Sequence, residues 1–341
     1  MSKISLCMIT KNEEQFLKQC LDSIKDLVDE IILVDTGSTD KTKEIAKNYN
    51  AKIFDFKWID DFSAARNESL KHATSDWILV LDADETISKK DHKNIKKVIK
   101  EDKFPVVSFN QRHYTNDQKP TLISSKDDPY KESQEFKGYT ETQILRLFKN
   151  NCDLEFEGKI HETIAGKMQK LNLKFTKTDI PIHHYQFLKP KTKQKDKQIK
   201  YLNLLLEKEK QDPENLKNLH DLAITYLQQQ NLEKAFEYFK KIHEKDKELL
   251  EPYLGMGMIL GKSGQTKKAA VLFSAALEKK TTKTIEASAN INQIKNTVWF
   301  NLALIYNSLN QKEKSKKIFT ALLKTNLKPL AEKQLQKLEG Q

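Results

Sequence analysis

Short apolar runs and helically spaced runs take turns along the first half of this chain. ISLCMIT (4–10), DEIILVDTG (29–37), AKIFDFKW (51–58) and DWILVLDADE (76–85) have the length and apolar density of strands. Between them, NEEQFLKQCLDSIKDLV (12–28) sets Phe16, Leu17, Cys20, Leu21 and Ile24 at helical spacing. TDKTKEIAKNY (39–49) opens on a Thr/Asp cap, and FSAARNESLKHAT (62–74) reads as a third helix. This alternation predicts an α/β domain whose mainly parallel, Rossmann-like sheet carries helices on both faces. Ligands of such sheets bind beyond the C-terminal strand ends. That expectation places Thr10 to Asn12, Asp35 to Ser38 and Asp82 to Glu85 on one rim. Farther on, FPVVSFNQRHY (104–114) and TQILRLF (142–148) read as strands around a polar loop at 115–138.

The second half has a different rhythm. Leu222-Ala223, Tyr226, Ala235 and Phe239 recur 34 residues later as Met256-Gly257, Leu260, Ala269 and Phe273. A third copy, Leu302-Ala303, Tyr306, Ser315 and Phe319, follows after a further 46, with extra residues near TTKTIEASANIN and Trp299 leading the copy. The period resembles the tetratricopeptide repeat, a helix-turn-helix unit whose copies must stack to bury a core. Small residues at 223, 235, 257 and 269 let paired helices approach, and aromatics fill the gap. The basic segment 189–201 links the domains or begins the first helix of the next. The expected division is residues 1–190 for the α/β domain and 191–341 for the linker and about three repeats, which bind a peptide or pack against another subunit, as in a homodimer.

Charge sharpens this division. The net charge is +11, yet residues 1–190 carry 31 basic and 31 acidic residues, so the excess sits in 191–341. A solvated lysine-rich repeat surface, or a site for an acidic partner, a nucleic acid or an anionic membrane face, follows. No zinc-finger or RNP-type signature supports nucleic-acid binding. No apolar run approaches the ~20 residues of a membrane helix, and the N-terminus turns charged too early for a secretory leader, so the expected location is cytoplasmic. Cys7, Cys20 and Cys152 have neither metal-ligand nor disulfide spacing and read as reduced, packed thiols. Only three of the 59 basic residues are Arg: Arg66, Arg112 and Arg146. In a chain that otherwise uses Lys, each Arg suggests a planar fork for carboxylate or phosphate.

The candidate chemistry lies on the rim. Asp82 and Asp84, in D-x-D spacing after an apolar strand, are costly unless a cation neutralises them, and Mg²⁺ or Mn²⁺ can bridge such oxygens to a diphosphate. The alternative is an acidic turn capping a helix. Asp35 opens a Gly-containing turn and can accept from a base or ribose. Arg66 and Asn67 lie on the helix between these sites, and an Arg there can reach a diphosphate. There is no G-x-G-x-x-G and no P-loop, which disfavours a dinucleotide redox enzyme or an ATPase.

CMITKNEEQFLKQCLDSI, DEIILVDTGSTDKT, FSAARNESL and WILVLDADE together resemble the successive motifs of family 2 glycosyltransferases with the GT-A fold. The likeness continues through LRLFKNNCDLEFEGKIHE and IHHYQF into the repeats. It is similar to the subgroup carrying tetratricopeptide repeats, which includes enzymes that glycosylate bacteriocin peptides on Cys or Ser. The resemblance implies a nucleoside-diphosphate sugar donor, a Mn²⁺ or Mg²⁺ cofactor, and a peptide or glycan acceptor. It implies that Thr10, Asn12 and Asp35 hold the nucleoside, that Arg66 sits near the diphosphate, and that Asp82 contacts ribose or sugar. Asp84 would ligate the metal with His184, with His183 as its rival because Gln186 replaces the usual Gly of His-Tyr-Gly. Glu162 would be the acceptor-side base, and His161 beside it a second catalytic candidate. Peptide glycosylation, synthesis of an envelope or capsular glycan, and a non-catalytic repeat scaffold are the three functions to separate.

Overall fold

The computed structural model describes residues 2–117, 122–160, 162–188, 191–285 and 290–339. The chain divides into two compact units, residues 1–194 and 195–341.

The first unit is built on strands β1 (Ile4–Thr10), β2 (Glu30–Asp35), β3 (Lys52–Asp55), β4 (Trp77–Val80), β5 (Glu85–Thr86), β6 (Val106–Thr115), β7 (Ile123–Ser124), β8 (Gly138–Lys149) and β9 (Phe175–His184). Its helices are α1 (Leu17–Ile24), α2 (Thr42–Lys47), α3 (Phe62–Lys71), α4 (His92–Glu101) and α5 (Ala165–Lys170). The strand order is β3-β2-β1-β4-β8-β6-β9-β5, with β7 paired to β8. The half read from the alternating pattern, β3-β2-β1-β4, is parallel throughout. The chain reverses direction of travel across the sheet at β1, which makes the ends of β1 and β4 a topological switch point. β8 then runs antiparallel to both β4 and β6, while β9 pairs with β6 in parallel.

Strand alternation divides the core between the two sheet faces. Leu6, Met8, Leu33 and Leu79 pack with Leu17, Cys20, Leu21 and Ile24 of α1 and with Ile95 and Ile99 of α4. Cys7, Ile32, Ile78 and Val80 face Phe148, Leu154, Phe156 and Ile164 on the other side. The four α1 residues are fully buried. Each contributes roughly 1.5–3 kcal/mol if an apolar side chain, which fixes the helix that follows the first rim turn. The three cysteines are free, and burial, with the charge of Glu30 behind it, pushes the Cys7 thiol up to about 12, so it stays an inert core group.

Three elements depart from the sequence reading. Helix α4 forms on Ile95, Val98 and Ile99, a narrow stripe in a lysine-rich segment that the pattern of runs passes over. β9 begins on the polar stretch FTKTD, which no apolar run marks. The third concerns the acids after β4: Glu85 belongs to β5, pairs with His184 of β9, and is fully buried rather than lying on the rim with Asp82 and Asp84.

The second unit is helical: α6 (Lys191–Gln211), α7 (Leu216–Gln228), α8 (Leu232–Lys245), α9 (Glu251–Lys262), α10 (Thr266–Glu278), α11 (Ile291–Ser308), α12 (Lys312–Leu322) and α13 (Lys328–Glu339). The basic segment thus enters α6, its first two residues lying outside the described residues. The pairs α7/α8, α9/α10 and α11/α12 carry the three repeat copies. The extra residues of the third are shared between a longer linker, 279–290, and an earlier start of α11 at Ile291. Ala223, Ala235 and Ala269 are fully buried, and Ser315 takes the small position in the third copy, its hydroxyl donating to the Ala303 carbonyl at 2.8 Å. No helix among the described residues is long and apolar enough to cross a membrane.

Gly257 is a tight position: a Cβ there would fall inside the envelope of the buried Phe273 ring. Gly257→Ala should therefore destabilise the repeat unit by about 1–3 kcal/mol, the range for overpacking a filled core. Urea unfolding followed by helical circular dichroism measures this, and an unchanged midpoint would show that the Phe273 ring can yield.

Candidate functional site

The rim is assembled first by strand register. Parallel pairing sets Thr10 directly beside Asp35 at the ends of β1 and β2. Asp35 is buried, and its Oδ1 accepts the backbone N–H groups of Gly37 (3.0 Å) and Ser38 (2.8 Å). Gly37, at φ +103°, makes that turn feasible. Thr10 Oγ1 lies 3.4 Å from the other carboxylate oxygen, and Lys43 Nζ lies 3.7 Å from Oδ1. Asn12, left-handed at φ +55°, reaches across: its Oδ1 accepts from Thr39 N at 2.8 Å, and its own N–H donates to Ser38 Oγ at 2.9 Å. Two loops distant in sequence are thereby held as one cradle around Asp35.

The second part is a network of two arginines and three carboxylates. Asp61 caps α3 by accepting from Ala64 N at 3.0 Å, which sets the helix face on which Ala65, Arg66 and Ser69 are buried. From there Arg66 donates through Nε to Glu162 (2.8 Å) and through Nη2 to Asp82 (2.6 Å). Arg146 on β8 donates through Nη2 to the other Asp82 oxygen (3.2 Å) and to Glu85 (3.1 Å). Gln111 of β6 also donates to Glu85, whose second oxygen accepts the Asp82 N–H at 2.8 Å. Removal from water works against the Asp82 charge, yet Arg66 and Arg146 hold its carboxyl well below the usual range. Burial, with the Asp82 charge beside it, raises Glu85 in spite of Arg146. Arg66 Nη1 and Arg146 Nε are buried and find no hydrogen-bond partner among the described residues. Asn67, next to Arg66, exchanges two hydrogen bonds with the backbone of Phe156 (2.9 and 2.7 Å), which ties the segment before Glu162 to α3.

All three arginines are used as forks across two carboxylates. Arg112, however, bridges Asp128 and Glu141 (2.8 Å each) between the rings of Tyr130 and Tyr139. It binds the β6–β8 hairpin to the 122–141 segment and does not join the rim network.

The third part is Asp84 with His184. Both are buried, with Asp84 Oδ2 3.4 Å from His184 Nε2. Burial opposes a charge on His184, but the hydrogen bond to Asp84 and the carboxylates of Glu85, Asp84 and Asp82 keep its pKa above the ordinary value. Strand alternation turns the rival His183 to the opposite face of β9. There its Nδ1 lies 2.6 Å from Tyr114 Oη, and burial, with the charge of Arg112, pushes it down to about 3. Tyr114 itself packs with Phe16, Phe136, Tyr139 and Tyr185. His183 is therefore a neutral member of an aromatic cluster. His161 lies outside the described residues. His113, which sequence reasoning passed over, places Nδ1 3.0 Å from Nδ1 of His184; the parallel register of β6 and β9 pairs the two residues, and no local pattern announces it.

Asp84 and His184 are compatible with shared ligation of one divalent cation. Cis ligands at ~2.1 Å from an octahedral ion lie roughly 3 Å apart, close to the separation seen. No group of three or more His, Cys, Asp or Glu forms a closed cage among the described residues. A two-ligand set suits an ion that takes its remaining ligands from water and substrate phosphates.

Residues 5–159 match the family described as Glycosyl transferase family 2, and residues 297–329 match the Tetratricopeptide repeat. The chain is 34% identical over 201 residues to a TPR repeat-containing protein of Synechococcus elongatus, covering 57% of this chain and 45% of that protein. It is 32% identical over 240 residues to the SPbeta prophage-derived glycosyltransferase SunS of Bacillus subtilis, covering 70% of this chain and 52% of SunS. An uncharacterized glycosyltransferase of Rickettsia felis is 31% identical over 180 residues, 47% of this chain and 59% of that protein. The chain spans about half the length of the curated relatives it matches.

Proposed function

We propose, from the match of residues 5–159 to glycosyl transferase family 2, that this chain transfers a sugar from a nucleoside-diphosphate sugar to an acceptor, inverting the anomeric carbon. The observation that carries the reading is the convergence of the Asp35 cradle, the Arg66–Asp82–Arg146 network and the Asp84–His184 pair. Asp35, held by two backbone N–H groups, is preorganised to accept from the nucleobase, with Thr10 and Asn12 shaping the nucleoside cradle. Asp82 retains lone pairs beyond its two arginine contacts and accepts from a ribose or sugar hydroxyl. Arg66 keeps a positive charge beside the departing diphosphate, where fixed charge is worth most.

Asp84 and His184 would hold Mn²⁺ or Mg²⁺, and the bound ion supplies Lewis-acid neutralisation of the diphosphate. Glu162 takes the acceptor proton as the new bond to the anomeric carbon forms. The bond from that carbon to the phosphate oxygen breaks, and its electron pair leaves with the nucleoside diphosphate. One base and in-line attack suffice for inversion. The peptide Cys or Ser acceptor rests on the resemblance to the repeat-carrying subgroup.

A panel of nucleotide sugars with Mn²⁺, read by release of nucleoside diphosphate, tests the reading. One donor should stand out. Failure of every donor to bind or turn over would overturn it and favour a non-catalytic scaffold.

The repeats position the acceptor in this scheme. Lys262, Lys267 and Lys268 are exposed around the α9–α10 turn, in the part of the chain that carries the positive excess. Reversing all three to Glu should raise the KM for an acidic acceptor several-fold while sparing donor hydrolysis. Equal loss of both would count against an acceptor role.

A further inference from the structure

The contacts around His184 continue outward as a chain whose donor directions can be followed from its far end. Gln111 Nε2 donates to Glu85, so its amide oxygen faces Thr142, whose hydroxyl lies 3.5 Å away as a donor. Having donated, Thr142 Oγ1 accepts from His113 Nε2 at 3.1 Å. A hydrogen on His113 Nε2 leaves His113 Nδ1 with its lone pair. That atom lies 3.0 Å from His184 Nδ1, and two facing ring nitrogens bond only if one carries a hydrogen and the other does not. In this arrangement His184 is the donor at Nδ1.

We propose that His113 is a positioning residue for the cation site: by accepting the Nδ1–H of His184 it fixes that ring so that Nε2, once it gives up the proton it shares with Asp84, faces the cation together with Asp84. The inference rests on the cation reading above. Its physical basis is general. A ligating imidazole that donates its second N–H has its tautomer and ring orientation set, and loss of that acceptor costs about 10–100-fold in metal affinity. The rings of His113 and His184 lie 5.0 Å apart, inclined at 59°, so His113 holds its neighbour edge-on through the nitrogen and does not stack on it. β6 and β9 supply the rigidity, since the pair is in register.

Mn²⁺ binding to the full chain, measured by electron paramagnetic resonance with no donor or acceptor present, tests this. His113→Leu removes the acceptor. His113→Asn restores an oxygen close to the position of Nδ1. Melting temperatures check that each variant is folded. The expected result is Mn²⁺ binding weakened about 10–100-fold in His113→Leu and recovered in His113→Asn. Thr142→Val, which removes only the outer link, should weaken binding by a smaller factor. Equal Mn²⁺ affinity in wild type and His113→Leu overturns the positioning role and leaves the cation site standing. Equal weakening in the Leu and Asn variants also overturns it, since the ring would then serve packing alone. If the wild-type chain binds no Mn²⁺ and Asp84→Ala changes nothing, the cation reading itself fails, and this inference with it.

Discussion

Asp84→Ala should abolish sugar transfer and Mn²⁺ binding together while leaving the fold intact. Asp84 faces His184 across 3.4 Å after strand β4, and its loss leaves one imidazole of the proposed pair of ligands. Lewis-acid neutralisation of a leaving diphosphate is worth several kcal/mol, so the rate should fall at least about 10³-fold. Stability should change little, because His184 can lose its proton when its carboxylate partner is removed. Donor turnover with and without Mn²⁺, together with a thermal melt, measures both. Full turnover in a folded mutant would exclude a metal role for this pair.

Glu162→Gln should lower transfer by roughly 10²–10⁴-fold, the usual contribution of a general base. Gln has the same shape and keeps an oxygen for Arg66 Nε, which now donates to Glu162 at 2.8 Å. That contact makes the readout more informative. If Glu162 works as the base, transfer falls while donor hydrolysis and donor binding are spared. If its charge is what holds Arg66 in place, both fall together. The loss should also be smaller for a thiol acceptor, a few per cent ionised near neutral pH, than for a hydroxyl, so the same mutant reports the acceptor class. The neighbouring acids are poor substitutes: Glu155 and Glu157 are each engaged at 2.6 Å by Lys167 and Lys170.

The placement of these groups was only partly readable from residue order. Asp35, Asp82 and Asp84 sit at the rim because a parallel strand ends there, and strand ends are local features of apolar pattern and turn chemistry. Gly37 likewise announces its turn. The network that surrounds Asp82 is different in kind. Arg66 meets Glu162 ninety-six residues away, and Arg146 reaches Asp82 from a strand that runs antiparallel to β4. The scarcity of Arg marked both residues, but not what they hold.

What the sequence by itself determined is the α/β class of the first unit, its parallel half-sheet and the repeat architecture of the second, because each follows from short-range periodicity and from small residues recurring at one spacing. Tertiary structure decided the rest. A strand presents neighbours to opposite faces, so pairing alone sent His184 to Asp84 and His183 into the aromatic cluster. The same pairing drew Glu85 inward to Arg146 and set His113 beside His184. Register is a property of two strands at once, and no single stretch of chain contains it.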